Sequence, residues 1–258
     1  RFSTRDFLSF DFSVLQPGDL VYCDPPYLIS NGSYNDWRRG FKDWTPLEDR
    51  QLLGLLDELD RGKLSLSDTF TVPPEIANTR GSKYGLRTGQ TVTVEQLLAG
   101  TILNSGCDCV HALIRMTAGD EATFVEWMNE KAKELGLKNS HFVNATGLDA
   151  ADHYMTARDL ATLAYRLVRD HPEYLRYSSQ AEMEIDGLTF RNLNRLVGAD
   201  PRVLGLKTGT TLIGGNNLVT YAEDGEDACF IILLDSASET RRFAETEELL
   251  DLVLGGAA

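Results

Sequence analysis

Two apolar runs, 217–222 and 228–234, are separated by Asp224-Gly225, and this arrangement constrains the fold more than any other feature of the 258 residues. A two-residue turn seeded by glycine reverses the chain tightly, so the runs pair as antiparallel neighbours. Upstream, 181–190 and 203–208 also read as strands. A last helix is expected over roughly 239–253, with Phe243, Leu249, Leu250 and Leu252 as apolar positions.

The middle of the chain reads as helical. Thr93-Val94-Glu95-Gln96 caps a helix that runs from Leu97 to about Asn104 and stops at Ser105-Gly106-Cys107-Asp108. A second helix, 120–135, carries Phe124, Trp127 and Met128 on one side and ends at Gly136. A third runs from Thr156 to about Arg169. Thr69–Val72 adds a short strand before this block. Strands, a helical block and more strands indicate an α+β or mixed fold, a sheet with helices packed on it.

Composition excludes several functions. Net charge is −14, and even residues 1–63 hold 8 Lys/Arg against 11 Asp/Glu, so no basic nucleic-acid footprint is expected. No apolar run reaches 18 residues, which predicts no membrane span. The chain opens on Arg1 without a signal-peptide pattern, which reads as a fragment or processed form. Cys107-x-Cys109-x-His111 lacks zinc-site spacing and reads as small residues packing a helix start, so no metal is expected. His111, His141, His153 and His171 show neither metal-ligand spacing nor a triad order and read as structural.

Lys207-Thr208-Gly209 closes an apolar run, a placement that suits a strand edge facing a cleft. An ammonium holds a substrate carboxylate, a hydroxyl hydrogen-bonds it, and a glycine lets the substrate backbone lie close.

Residues 62–255 resemble the penicillin-binding domain of serine D-alanyl-D-alanine carboxypeptidases, peptidase family S11. The resemblance rests on Met128-Asn129-Glu130-Lys131-Ala132, Leu135-Gly136-Leu137, His141-Phe142-Val143-Asn144 and Thr146-Gly147-Leu148. Met155-Thr156-Ala157-Arg158-Asp159-Leu160 and Gly205-Leu206-Lys207-Thr208-Gly209 follow in the same order and spacing. It implies a β-lactamase/transpeptidase-like sheet with a helical block, and an extracytoplasmic setting. It also implies removal of the terminal D-alanine from peptidoglycan stem peptides, with β-lactams acylating the same serine.

Carried onto this chain, the family's Ser-x-Asn becomes Ser105-Gly106-Cys107. Ser105 is then the catalytic residue that relays a proton to the leaving amine. Cys107 stands where an asparagine amide meets the substrate, and its thiol hydrogen-bonds weakly. Lys207, Thr208 and Gly209 bind the substrate carboxylate. The nucleophile motif Ser-x-x-Lys is missing, for no serine in the sequence has a lysine three places on. Counting back from Gly62, the nucleophile helix falls near Thr45-Pro46-Leu47-Glu48. There a capped, leucine-rich helix over 46–60 occupies its place.

Residues 1–61 read differently. Gly18–Tyr27 reads as a short buried strand ending in a proline-stiffened loop, and Asp24-Pro25-Pro26-Tyr27 resembles motif IV of Dam-type DNA adenine-N6 methyltransferases. The resemblance implies that Asp24 and its neighbours hold an adenine amino group while Tyr27 stacks on the base. It brings S-adenosylmethionine in as a cofactor for that alternative alone; no cofactor is otherwise expected. The glycine-rich segment that binds S-adenosylmethionine is not found, and a lone strand and helix cannot make the parallel sheet such a site needs. The chain thus divides into a partial methyltransferase-like strand–helix unit, 1–61, and a carboxypeptidase-like domain, 62–258. The readings are a carboxypeptidase-family domain with its chemistry removed, a non-catalytic binding module for D-Ala-D-Ala peptides or β-lactams, and a methyltransferase fragment.

Overall fold

The computed structural model describes residues 64–255. The readings of Asp24-Pro25-Pro26-Tyr27 and of the helix over 46–60 lie outside the described residues.

Strand β1 (Thr69–Thr71) pairs antiparallel with β2 (Thr91–Thr93), and the short helix α1 (Pro74–Ala77) lies between them in sequence. Helices α2 (Val94–Asn104), α3 (Cys107–Thr117), α4 (Glu121–Glu134) and α5 (Ala157–Asp170) form the helical block. A 3₁₀ turn (Pro172–Tyr174) and α6 (Leu175–Ser178) lead to the hairpin β3 (Glu182–Ile185) and β4 (Leu188–Arg191). Strands β5 (Val203–Thr211), β6 (Gly215–Asp224) and β7 (Asp227–Ser236) make an antiparallel sheet in that order, and α7 (Glu239–Leu254) closes the described chain.

Caps account for the helix starts. Thr93 accepts from the amide of Gln96 while the Gln96 side chain accepts from the amide of Thr93, a reciprocal capping box. Asp120 and Thr156 cap α4 and α5 in the same way through the amides of Thr123 and Asp159.

The hairpin between the last two strands forms, with its two-residue turn at Gly225-Glu226 rather than Asp224-Gly225: Asp224 pairs opposite Asp227, so the turn is one residue later than expected. The expectation of one strand over 181–190 is corrected: Asp186-Gly187 splits it into β3 and β4. Both residues have positive φ, 50° and 79°, which a two-residue turn with φ > 0 at each centre requires and which glycine adopts without cost. Two apolar positions also differ from expectation. Trp127 and Leu252 are partly exposed, at 38% and 48%, because each points off the buried stripe of its helix.

The central sheet is buried on both faces, which is why its strands read as near-continuous apolar runs. On β6 and β7, Leu218, Ala222, Cys229, Ile231 and Leu233 pack with Phe243, Leu249 and Leu250 of α7. The intervening Val219, Tyr221, Phe230 and Ile232 join the core of the helical block. Edge strand β5 meets α6, where Ser178 Oγ donates to the carbonyl of Leu204 at 2.8 Å.

Candidate functional site: a lysine, a serine and a buried carboxylate

Ser105 ends α2 in the left-handed region, φ 53° and ψ 39°. A non-glycine residue there stores strain of about 1 kcal/mol or more, and its surroundings must hold it in place. The amides of Ser105 and Gly106 both donate to the carbonyl of Gly100, and Ser82 Oγ donates to the carbonyl of Ser105. Helix α3 then starts at Cys107, so the Ser105-Gly106-Cys107 corner projects between two buried helices.

Asp108, in the first turn of α3, holds the loop beside this corner. Its carboxylate is wholly buried and accepts from the amides of Tyr84, Gly85 and Leu86 at 2.8–2.9 Å, and from that of Cys109 at 3.1 Å. One carboxylate thus replaces the water that three consecutive loop amides would otherwise need. Gly106 is required at this corner, since a Cβ there would lie 2.9 Å from Asp108 Oδ1 and 3.1 Å from the Tyr84 nitrogen. The ring of Tyr84 stacks on Phe190 with centroids 4.6 Å apart, which fixes the loop to β4.

Lys207 approaches from β5. It lies opposite Val219 in the β5–β6 register, and Val219 belongs to the core of the helical block. Its Nζ donates to Ser105 Oγ and, at 2.9 Å, to the carbonyl of Thr208. The residue is only 8% exposed. Burial, reinforced by the Arg242 charge, brings its pKa down from 10.5 to about 7. At neutral pH this amine is therefore poised between donor and acceptor of a proton.

Arg242 supports the strand from behind. From α7 its Nη1 donates to the carbonyl of Gly209 at 3.1 Å, to Thr210 Oγ1 at 2.8 Å and to the carbonyl of Asn217 at 3.3 Å. Its guanidinium also lies 4.9 Å from the centre of the Phe243 ring.

Of the residues singled out in the sequence, the fold brings together Ser105, Cys107, Lys207, Thr208 and Gly209. Cys107 is buried with its Sγ 3.8 Å from Ser82 Oγ, and burial pushes its thiol pKa up, so it is a packed and weakly polar group. Cys109 is fully buried as well, in keeping with the reading of both cysteines as small residues at a helix start. Ser82, Asp108 and Arg242 were not anticipated. A single polar residue in a loop or helix carries no sequence signal of such a role, although Asp108 directly follows the Ser-Gly-Cys corner.

The family described as peptidase S11, D-alanyl-D-alanine carboxypeptidase, matches residues 53–238. The chain belongs to that family. D-alanyl-D-alanine carboxypeptidase DacF of Bacillus subtilis is 32% identical over 209 residues, covering 78% of this chain and 52% of the relative. The chain spans about half the length of the curated relatives it matches. Among solved structures, penicillin-binding protein D2 from Listeria monocytogenes in its ampicillin-bound form superposes with a TM-score of 0.74 at 28% identity. That match covers 82% of this chain and 86% of the other. The β-lactamase/transpeptidase-like architecture expected from the S11 resemblance is thus the fold. A further 60-residue segment is 57% identical to the type II methyltransferase M.FokI of Planomicrobium okeanokoites, covering 23% of this chain and 9% of that protein. The chain thus combines membership of the S11 family with a short stretch similar to part of a type II methyltransferase.

Proposed function

We propose that residues 62–258 form a penicillin-binding-type domain that holds the carboxylate of a D-alanyl-D-alanine stem peptide, or of a β-lactam, without turning it over. The observation that carries this reading is the contact of Lys207 Nζ with Ser105 Oγ at a buried cleft edge. Lys207, when protonated, pairs with the ligand carboxylate, Thr208 offers a hydroxyl, and the main chain at Gly209 lies along the ligand. Ser105 is suited to pass a proton to a leaving amine because a hydroxyl both donates and accepts.

What is missing is the nucleophile. An acyl intermediate needs a serine whose proton a neighbouring base removes, and the sequence holds no Ser-x-x-Lys. Neither Thr45 nor Glu48 supplies that pair, since a carboxylate cannot replace an ammonium. Binding without acylation follows. In this reading the domain binds cell-wall peptide outside the cytoplasm, uses no cofactor, and begins near residue 62.

Incubation with a β-lactam followed by intact-mass measurement tests the reading. No covalent adduct, together with saturable binding of a D-Ala-D-Ala peptide, is expected. A stoichiometric adduct on Ser105 or Thr45 overturns it.

A second reading rests on the methyltransferase-like segment: residual adenine methyltransferase chemistry around Asp24, Pro25, Pro26 and Tyr27. It is the weaker, because 60 residues cover only 9% of that enzyme. Binding of S-adenosylmethionine in a calorimetric titration would revive it.

A further inference from the structure

One carboxylate reaches across the cleft from outside the Ser105–Lys207 pair. Loop 141–154 is closed at its base by two backbone hydrogen bonds between His141 and Tyr154, 2.8 and 3.0 Å. Asn129 of α4 clamps both the amide and the carbonyl of Phe142, at 3.0 and 2.8 Å. Inside the loop, Asn144 accepts from the amides of Thr146 and Gly147 and donates to the carbonyl of Leu148. The loop is therefore a braced unit anchored to the helical block.

At its tip, consecutive residues touch the two lips of the cleft. Leu148 packs beside the Ser-Gly-Cys corner: a Cβ on Gly81 would lie 3.3 Å from Leu148 and 2.7 Å from Cys107 Sγ. Asp149 points to the other lip, where its Oδ2 accepts from the amide of Ile213 at 3.1 Å. Ile213 is in the β5–β6 turn, four residues beyond Gly209, and its side chain is 56% exposed, so apolar packing does little to hold this turn. Asp149 Oδ1 is buried and has no partner among the described residues. An unsatisfied buried carboxylate oxygen is costly, and its presence calls for a compensating role of the side chain.

We propose that Asp149 is a positioning residue. It ties the helical lip of the cleft to the β5–β6 turn and so sets the distance at which Lys207, Thr208 and Gly209 face Ser105. The inference rests on the reading of that cleft as a carboxylate-binding site. The ligand class is unchanged, but its affinity depends on a side chain that does not touch it.

Two measurements on the full chain test this: amide hydrogen exchange at Ile213, and the dissociation constant for an acetylated peptide ending in D-Ala-D-Ala. In Asp149→Ala, exchange at Ile213 is expected to speed up and peptide affinity to fall, each on the order of tenfold, the scale of one charge-assisted hydrogen bond. Asp149→Asn keeps a carbonyl acceptor and should restore both to within about threefold. That rescue separates a tie from general loosening, and circular dichroism establishes that each variant is folded. Unchanged exchange at Ile213 in the alanine variant overturns the proposal. So does faster exchange with unaltered affinity. A wild-type protein that binds no peptide, yet shows the exchange effect and its rescue, overturns the reading of the site and leaves the tie standing.

Discussion

The amine of Lys207 rests on the hydroxyl of Ser105, although 102 positions separate the two in the chain. The contact joins the edge of the sheet to the end of a helix. It also places a titrating group where a ligand carboxylate is expected.

Ligand affinity should therefore depend on pH in a defined window. Lys207 titrates near 7 because burial and Arg242 disfavour its charge. A carboxylate pairs with the protonated form, so peptide affinity is expected to fall about tenfold per pH unit above 7 and to level off below it. Calorimetric titrations of a D-Ala-D-Ala peptide between pH 6 and 9 check this. Flat affinity across that range would exclude Lys207 as the carboxylate partner.

Removing the amine should stabilise the fold while destroying the site. Between pH 7 and 10.5 the unfolded chain holds a proton that folded Lys207 has released, so stability from this group rises with pH through that window. Lys207→Met deletes the buried charge at similar volume. It is expected to add about 1–3 kcal/mol at pH 7 and to flatten the rise. Thermal melts of both proteins at pH 7 and pH 10 measure the two effects.

Asp108 offers a test in the opposite direction. Four amides converge on its carboxylate, and alanine would leave several of them buried without an acceptor. Asp108→Ala is expected to cost about 3 kcal/mol or more, whereas Asp108→Asn, which keeps one acceptor oxygen, should cost about half as much. Chemical denaturation gives the ranking, and equal losses for the two variants would contradict it.

His153 should mark the acid limb of the stability curve. It is wholly buried, its Nδ1 accepts from the amide of Val143 at 3.1 Å, and burial, aided by the His141 charge, lowers its pKa from 6.5 to about 4. As pH falls below 6.5 the unfolded chain takes up the proton first, so stability declines until about pH 4 and then levels off. The loss is about 2–3 kcal/mol. His153→Gln, which cannot charge, is expected to remove most of this slope in urea titrations at pH 6.5, 5.5 and 4.5.

Much of this arrangement was legible in the sequence because its signals are local. Thr93 with Gln96, Asp120 and Thr156 act within one helical turn, and the turn between β6 and β7 within two residues. The Lys207-Thr208-Gly209 strand and the Ser105 corner were readable as a family pattern. The turn at Asp186-Gly187 is equally local, but it sits inside a longer run of strand-forming residues that hides it. The supports of the site were not readable, because each acts over a distance the sequence does not display. Asp108 binds amides 22 to 24 positions back, Asp149 reaches an amide 64 positions on, and Arg242 grips a strand more than 30 positions before it.

Asp108 grips residues 84–86 only through their main-chain amides. Nothing in those hydrogen bonds depends on which side chains the three positions carry. The side chains answer to other partners: Tyr84 stacks on Phe190, Leu86 enters the core, and Gly85 sits at φ 106°, a conformation that favours glycine. One aspartate thus fixes the loop's main chain beside Ser105, while the three positions it holds are each constrained for a separate reason.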